Sequence, residues 1–360
     1  MFIAIDVGRS SVKVAYAKSD FNQAKSFEIS SLVATSFGSF AKPESALVNS
    51  YSDDEVSQIE IKETQGEWNK GLSNFFMFGK QARKQGSSAS SFSEGTQFHK
   101  FGVAIILYVI AKVLNEYEVW DKSLNPKPVD DKVSLAINLT YSNSEAVSFY
   151  SKSLKGRHII GLGVVVGGRV ASRLVDFAIK DLYCFQQGYA AIFNFIGSSQ
   201  FSLIQKGKGI IIDIGRYTVD FSKVDELTLV GGFSMDYGTR HLIQELQGLF
   251  SAGGIKLSLE EIELALADHS KTFSNVHGKF IKPWDVLQGL GSLEKYYNEI
   301  KIGINNFVGE ERVDYMILCG GGSYLILDKF KQDFRAEVLG VDYLRANAFG
   351  MLKMLSAGSL

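Results

Sequence analysis

The run Gly209-Ile-Ile-Ile-Asp-Ile-Gly-Arg-Tyr-Thr-Val-Asp-Phe-Ser-Lys223 decides how the rest of the chain is read. Its three consecutive isoleucines form a short apolar stretch suited to a buried strand. Asp213 closes that strand, Gly215 follows two residues on, and Thr218 to Phe221 supply a second β-rich run. Strand, Asp-x-Gly turn and strand make a hairpin whose tip carries a carboxylate and bare backbone. The N-terminus repeats the pattern without gaps, Ile3-Ala-Ile-Asp-Val-Gly-Arg-Ser-Ser-Val-Lys13 lying on Ile210 to Asp220. The identical pairs are Ile3/Ile210, Ile5/Ile212, Asp6/Asp213, Gly8/Gly215, Arg9/Arg216 and Val12/Val219. Two such hairpins about two hundred residues apart predict two related half-domains that face one another across a cleft.

Composition agrees with a large two-lobed protein. The chain has 360 residues, too many for one comfortable core. Apolar residues make up 46%, charged residues 21%, and the formal charge is −1. Near-neutrality argues against a dedicated nucleic-acid binder, which carries a basic excess. Cys184 and Cys319 stand far apart in apolar surroundings, so neither a disulfide framework nor a zinc site is indicated. The opening MFIAIDVG has no basic n-region or cleavage site, and no signal peptide is expected. Gly102 to Leu114 is too short an apolar run to span a bilayer and suits a buried helix. These features predict a cytoplasmic protein.

Along the chain, residues 2–7 and 12–18 form the first hairpin and Phe27 to Val33 add a strand. From about 35 to 96 the texture turns to Ser, Gly and charge, an excursion with β-like pieces at Gln58–Lys62 and Phe75–Gly79 and a linker at Gln85–Thr96. Phe98 to Tyr117 reads as a central helix and Lys132 to Leu139 as a buried strand. Ser142 is placed to cap a helix. Arg157–Val166 and Val170–Tyr183 read as strands, and Gly188–Ile196 as helical. After the second hairpin come a strand at Leu227–Ser234 and a helix opened by Tyr237-Gly238-Thr239. Ser258 with Glu261 three residues on starts the next helix. A longer helix is expected over Trp284–Phe307, then a strand at Val313–Cys319 running into Gly320-Gly321-Gly322 and a further helix.

The hairpin tips suit phosphate. Backbone N–H groups in tight turns bind phosphate well where small residues let the ligand approach. Gly8, Arg9, Ser10 and Ser11 can wrap one end of a polyphosphate, with Lys13 returning as a cation, and Gly215, Arg216, Tyr217 and Thr218 can wrap the other. Asp6 and Asp213 would then hold Mg²⁺ through its water shell. Asp and Gly are also ordinary turn residues, so one hairpin alone means little. The pair, each followed by a charged residue seven positions after the Asp, is what carries the reading. The strand into Gly320, Gly321, Gly322 and Ser323 lets a ligand lie against backbone at a helix N-terminus, although a plain strand-to-helix turn has the same look.

A competing fingerprint, Gly161-Leu-Gly163-Val-Val-Val-Gly167, has β-branched Val164 to Val166 where a helix N-terminus would be needed and reads as structural. The chain has no Walker loop and no HExxH, and its five His are scattered. Gln186 or Gln187, just before the second hairpin, could orient a water for attack on a γ-phosphate, or simply satisfy backbone at a helix start.

The order of these motifs resembles the actin, sugar-kinase and chaperone-ATPase superfamily, and within it the bacterial plasmid-segregation actins of ParM or StbA type. Asp6-x-Gly8 with Lys13 is similar to that family's first phosphate motif, and Asp213-x-Gly215-x-x-Thr218-x-Asp220 to the second. Leu318-Cys-Gly-Gly-Gly322 is similar to the adenosine motif. Leu135–Tyr141 resembles the interdomain strand segment, Gln186-Gln187-Gly188-Tyr189-Ala190 the interlobe turn, and Asn347–Gly350 the closing helix. Gly238 and Thr239 join the nucleotide-binding candidates. Arg216 and Tyr217 stand where the family often has smaller residues. The Pro usual in the Gln turn is missing, which keeps both glutamines as candidates, and the family's carboxylate at that turn has no clear counterpart.

The resemblance implies an α/β chain with the actin-like ATPase fold, two related ribonuclease H-like lobes around a nucleotide cleft. Residues 1–185 would form lobe I with the excursion at about 35–96. Residues 186–340 would form lobe II with a helical insertion at about 240–310, and 341–360 a helix returning to lobe I. It further implies ATP or GTP hydrolysis with Mg²⁺, nucleotide-dependent filaments, and plasmid segregation through an adaptor bound to centromere-like DNA, without direct contact to nucleic acid or membrane. A nucleotide-binding scaffold for pilus or division machinery, or a small-molecule kinase of the same fold, are the alternatives. The tail from Phe349 does not look like an amphipathic membrane anchor.

Overall fold

A computed structural model describes residues 1–8, 11–19, 21–31, 33–36, 57–64, 68–69, 74–78, 82, 89–90, 96–117, 132–139, 144–166, 169–268, 270–274 and 280–357. The chain divides into two units, Met1–Asn194 with Asn347–Leu360, and Phe195–Ala346. Arg9, Ser10, Ser142 and most of the excursion at 35–96 lie outside the described residues, and of the linker read at Gln85–Thr96 only Ala89–Ser90, a short strand, and Thr96, in a helix, are described.

The first unit is built on one sheet. Its strands are β1 (Phe2–Val7), β2 (Ser11–Ala17), β3 (Lys25–Ser30), β4 (Val33–Ser36), β5 (Gln58–Glu63), β6 (Phe75–Phe78), β7 (Ala89–Ser90), β8 (Lys132–Leu139), β9 (Gly156–Val166) and β10 (Arg169–Gln186). They lie in the order β3-β2-β1-β8-β10-β9-β5-β6-β4-β7. β1 is antiparallel to β2 and parallel to β8, which is in turn parallel to β10. Ile3, Ala4, Ile5 and Asp6 of β1 are all buried, as expected of a central strand covered on both faces. Helix α1 (Thr96–Tyr117) is buried at every position from Phe101 to Ala111 and forms the middle of this core, with α2 (Ser144–Leu154) beside it. An all-round apolar helix has no face to offer water. Gly161 and Gly163 sit inside β9, paired with Leu174 and Ser172, so the glycine run there is strand and not a dinucleotide loop.

The second unit carries α3 (Phe201–Lys206) and a sheet of β11 (Lys208–Ile214), β12 (Val219–Asp225), β13 (Thr228–Met235), β16 (Tyr315–Cys319) and β17 (Glu337–Gly340). Its order is β13-β12-β11-β16-β17, with β11, β16 and β17 parallel. The first unit's β3-β2-β1-β8-β10 has the same order and the same senses, so the two units share a five-strand motif. Between β13 and β16 lie α4 (Arg240–Ala252), α5 (Leu259–Ala267), the short pair β14 (Phe273–Ser274) and β15 (Phe280–Ile281), α6 (Pro283–Gly289) and α7 (Ser292–Val308). The Ser258–Glu261 capping box at the start of α5 is complete in both directions.

The strand read over Phe27–Val33 stops at Ser30, with Val33 in β4, and three features of the second unit also differ from the sequence reading. The single helix expected over Trp284–Phe307 is two, because Gly291 takes a left-handed φ of 69° between α6 and α7. Leu227 is in the β12–β13 turn, not in the strand: Glu226 and Leu227 both adopt positive φ, 48° and 64°. After the triple glycine comes a 3₁₀ turn, Ser323–Leu325, and the helix α8 (Leu327–Asp333) begins only beyond it. The last described element is α9 (Ala346–Ala357), whose Ala348, Met351, Leu352 and Leu355 pack on Ala4, Ala15 and Ala136 in the first unit.

Candidate functional site

In the first hairpin Asp6 pairs with Lys13 and Val7 with Val12, and the Gly8 N–H donates to Ser11 O at 3.1 Å. In the second, Asp213 pairs with Asp220 and Ile214 with Val219, and the Gly215 N–H donates to Thr218 O at 2.9 Å. The duplication read from six identities thus extends to register and turn closure. A Cβ on Gly8 would lie 2.7 Å from Ser11 O, so the first turn requires bare backbone there, and one on Gly215 would be tight at 3.1 Å from Thr218 O. The same Cβ on Gly8 would meet Lys13 Nζ at 3.4 Å, which puts the ammonium beside Gly8.

Asp6 is buried. Asn138, at the end of β8, donates Nδ2 to Asp6 Oδ1 at 2.5 Å and accepts the Val7 N–H on Oδ1 at 2.7 Å. Asn347 of α9 makes a second side-chain hydrogen bond to Asp6. Burial pushes the Asp6 carboxyl above the usual carboxylate range. The charge of Lys13 and the two asparagine bonds pull the other way, and Glu28 adds to the rise. Gln186 ends β10 opposite Leu139, and the Gln187 N–H donates to Leu139 O at 3.0 Å. The Gln turn and Asp6 therefore hang on consecutive residues of β8. Gly188 then takes a φ of 82° and a 3₁₀ turn, Tyr189–Phe195, follows.

In the second unit three segments converge on the hairpin. The N–H groups of Gly238, Thr239 and Arg240 donate to the carbonyls of Tyr217, Gly215 and Arg216, at 2.9, 3.1 and 2.8 Å. Those amides are spent on holding the tip, which makes Gly238 and Thr239 supports for the hairpin. Gly320, with φ 83°, lies against Asp213, and Gly322 donates its N–H to Ile214 O at 2.9 Å. Gly321 is the exposed member of the triplet. The buried Ser323 turns its hydroxyl back onto Gly320 O at 2.8 Å. Arg216 reaches Glu263 at 3.5 Å, and among the described residues its buried Nε has no hydrogen-bond partner. The Arg240 guanidinium lies 5.2 Å over the Tyr217 ring, and Thr218 Oγ1 donates to Asp220 Oδ2 at 2.9 Å.

Each hairpin, taken within its own unit, has donors that suit a phosphate group beside a hydrated divalent cation. Each hairpin offers one buried carboxylate and a turn free of side chain at its glycine. Among the described residues no group of three or more His, Cys, Asp or Glu forms a metal cage. Mg²⁺ keeps several waters and needs only one or two carboxylates.

Solved structures share the fold of this chain. An archaeal actin homolog superposes with a TM-score of 0.70 at 20% identity, over 100% of this chain and 99% of that one. The chain has the actin-like fold. The actin-like protein Alp7A gives a TM-score of 0.69 at 14% identity, over 99% of this chain and 96% of that chain. A ParM from a 15-stranded filament of Clostridium botulinum gives 0.66 at 20% identity, over 99% of both chains. The archaeal actin homolog has also been solved in complex with ADP. Neither a family model nor a curated protein matches the sequence. At these identities the likeness is one of actin-like fold. Among the described residues, no helix is long and apolar enough to cross a membrane.

Sequence reasoning did not find Asn138 or the bond from Asn347 to Asp6. A signal for the first existed: Asn138 is a lone amide in the otherwise apolar end of β8, and a buried polar side chain demands a partner.

Proposed function

We propose that this chain is an actin-like nucleotide hydrolase that binds ATP or GTP with Mg²⁺ and assembles with itself into filaments in the nucleotide-bound state. The observation that carries the reading is the duplicated hairpin, equal in register, turn closure and buried carboxylate in both units. The backbone at Gly8 to Ser11 and at Gly215 to Thr218 binds phosphate oxygens, and the Lys13 ammonium beside Gly8 adds a fixed positive charge. Asp6 and Asp213 would hold Mg²⁺ through its water shell, and Asp220 keeps Thr218 in place. Gly320, Gly321, Gly322 and Ser323, with Gly238 and Thr239 behind the tip, form the nucleoside side. Gln186 or Gln187 orients the water. When bound, Mg²⁺ neutralises charge on the phosphates. Phosphoryl transfer relies on positioning more than on covalent chemistry by the protein, so a sparse set of reactive side chains is sufficient.

The cellular role that fits is plasmid segregation in the cytoplasm, through an adaptor protein on centromere-like DNA. The filament itself needs no direct contact with nucleic acid or membrane, in keeping with a formal charge of −1. The solved 15-stranded filament of a ParM supports the self-assembly part of this reading.

The test is right-angle light scattering with pelleting of the purified chain in Mg-ATP, in Mg-GTP and without nucleotide, beside Asp213→Ala. A nucleotide-dependent rise that decays as phosphate appears, and that Asp213→Ala prolongs or abolishes, is the expected result. Nucleotide binding without assembly at any protein concentration would sink the filament reading in favour of a scaffold or kinase.

A further inference from the structure

The carboxylate of Asp6 is held by two segments remote from it in sequence. Asn138 bonds both Asp6 Oδ1 and the Val7 N–H, so one amide fixes the side chain and the strand end that carries it. Asn347, in the first turn of α9, bonds the same carboxylate. The two asparagines are 3% and 4% exposed. An amide buried that far is costly unless it is used, and here both serve one acid.

α9 is seated firmly a turn further on. Gly350 lies so close to Ala190 that a Cβ there would overlap the Ala190 carbonyl. Lys353 Nζ donates to Asn194 O at 2.6 Å. Both contacts fall in the 3₁₀ turn directly after the Gln pair. The helix that supplies Asn347 is thereby fixed to the segment that carries Gln186 and Gln187.

We propose that Asn347 is a positioning residue for Asp6: with Asn138 it fixes the carboxylate for the Mg²⁺ water shell, and so ties the seating of α9 to Mg-nucleotide binding. This rests on reading Asp6 as the Mg²⁺-facing acid of the first hairpin. A carboxylate pinned by two amides loses little further rotamer freedom when a hydrated cation arrives. One left loose must pay that ordering at the moment of binding. Partners behind a metal-facing group commonly change metal affinity about 10-fold or more when removed.

The test is calorimetric binding of ADP to the full chain at graded free Mg²⁺ and in EDTA, with thermal midpoints recorded. The proteins are wild type, Asn347→Ala, Asn347→Ser, Asp6→Asn and the Asp6→Asn/Asn347→Ala double variant. Asn347→Ala should raise the free Mg²⁺ needed for half of the Mg-dependent gain in ADP affinity by about 10-fold. Its ADP affinity in EDTA should match wild type, and the substitution should add nothing in the Asp6→Asn background. If Asn347→Ala does not fold, Asn347→Ser, a smaller side chain that keeps a hydroxyl donor, should show the same Mg²⁺-specific shift in milder form. Equal weakening with and without Mg²⁺, no shift at all, or a full additive effect on Asp6→Asn would overturn the proposal. Absence of Mg-dependent ADP binding by the wild type would overturn the reading of Asp6 as well, and is distinct from the other results.

Discussion

Gly320 lies directly against the carboxylate of Asp213. A Cβ on Gly320 would overlap Asp213 Oδ1 and stand 2.5 and 2.6 Å from Ile214 O and N, and the residue holds a φ of 83°. β16 meets β11 in parallel with Cys319 opposite Asp213, so the chain leaving β16 must turn at once or run into the acid. Only glycine both turns left-handed without strain and leaves room for the carboxylate.

Gly320→Ala is therefore expected to destabilise the chain by about 2–4 kcal/mol, a sum of left-handed backbone strain and overpacking. Gly291→Ala is the matched control. Gly291 has a φ of 69° with nothing within 4 Å of a Cβ, so only the backbone term applies, about 1 kcal/mol. Urea unfolding of the two variants beside wild type reads the difference. Equal losses would mean that the Asp213 contact relaxes freely.

The hairpins were legible because their signals are local. Asp6, Gly8, Asp213 and Gly215 form turns within a few residues, and the same identities dictate the same closure in both units. The Ser258–Glu261 box was readable for the same reason. Asn138 and Asn347 were not, since their common partner Asp6 is more than a hundred residues from either, and the first bond exists only because β1 and β8 pair in parallel. Arg216 reads as a tip residue open to a ligand, yet its side chain turns to Glu263 on α5. The 3₁₀ turn after Gly322 reflects how Ser323 bonds back to Gly320, which spacing alone does not encode.

His158 should make stability depend on pH. It is 0% exposed, with Nδ1 3.0 Å from Thr64 Oγ1 and Nε2 2.7 Å from Leu154 O. Trp68 Nε1 donates to Thr64 Oγ1, so the hydroxyl is free to donate to Nδ1, and Nε2 carries the proton given to Leu154 O. Burial lowers the pKa from 6.5, partly opposed by the Leu154 bond. The unfolded chain thus takes up a proton first as pH falls. Stability is full above about pH 6.5 and declines below it toward the folded pKa, by at most about 1.4 kcal/mol per pH unit. Urea midpoints across this range should show that slope in wild type and a flatter one in His158→Gln. An unchanged slope would assign the acid sensitivity elsewhere.

The β12–β13 turn holds a stabilising substitution. Asp225 pairs with Thr228 across two residues, Glu226 and Leu227, both with positive φ. Turns of this kind favour Asn-Gly, because side chains other than Asn and Asp pay for the left-handed region. Glu226 is exposed, and its N–H bond to Gly207 O would survive replacement. Glu226→Asn should raise stability by about 0.5–1 kcal/mol. A thermal midpoint at or below wild type would count against the strain assigned to this turn.

Gly350→Ala tests the seating of α9. The new methyl would overlap the Ala190 carbonyl and stand 3.2 Å from Asn194 Nδ2. The backbone of a 3₁₀ turn closed by Ala191 N–H to Gly188 O, at 3.0 Å, cannot retreat without losing that bond. The helix must lift instead, at a cost of about 1–3 kcal/mol. Hydrogen exchange should speed up in 346–357 and 189–195, while β11 to β13 of the second unit keep wild-type protection. Asn347 lies less than a turn earlier on the same helix, so the lift also withdraws its bond from Asp6. Mg-dependent ADP affinity should fall in parallel with the exchange change. Faster exchange with unaltered Mg²⁺ dependence would separate the helix seat from the acid and leave Asn138 as the partner that matters.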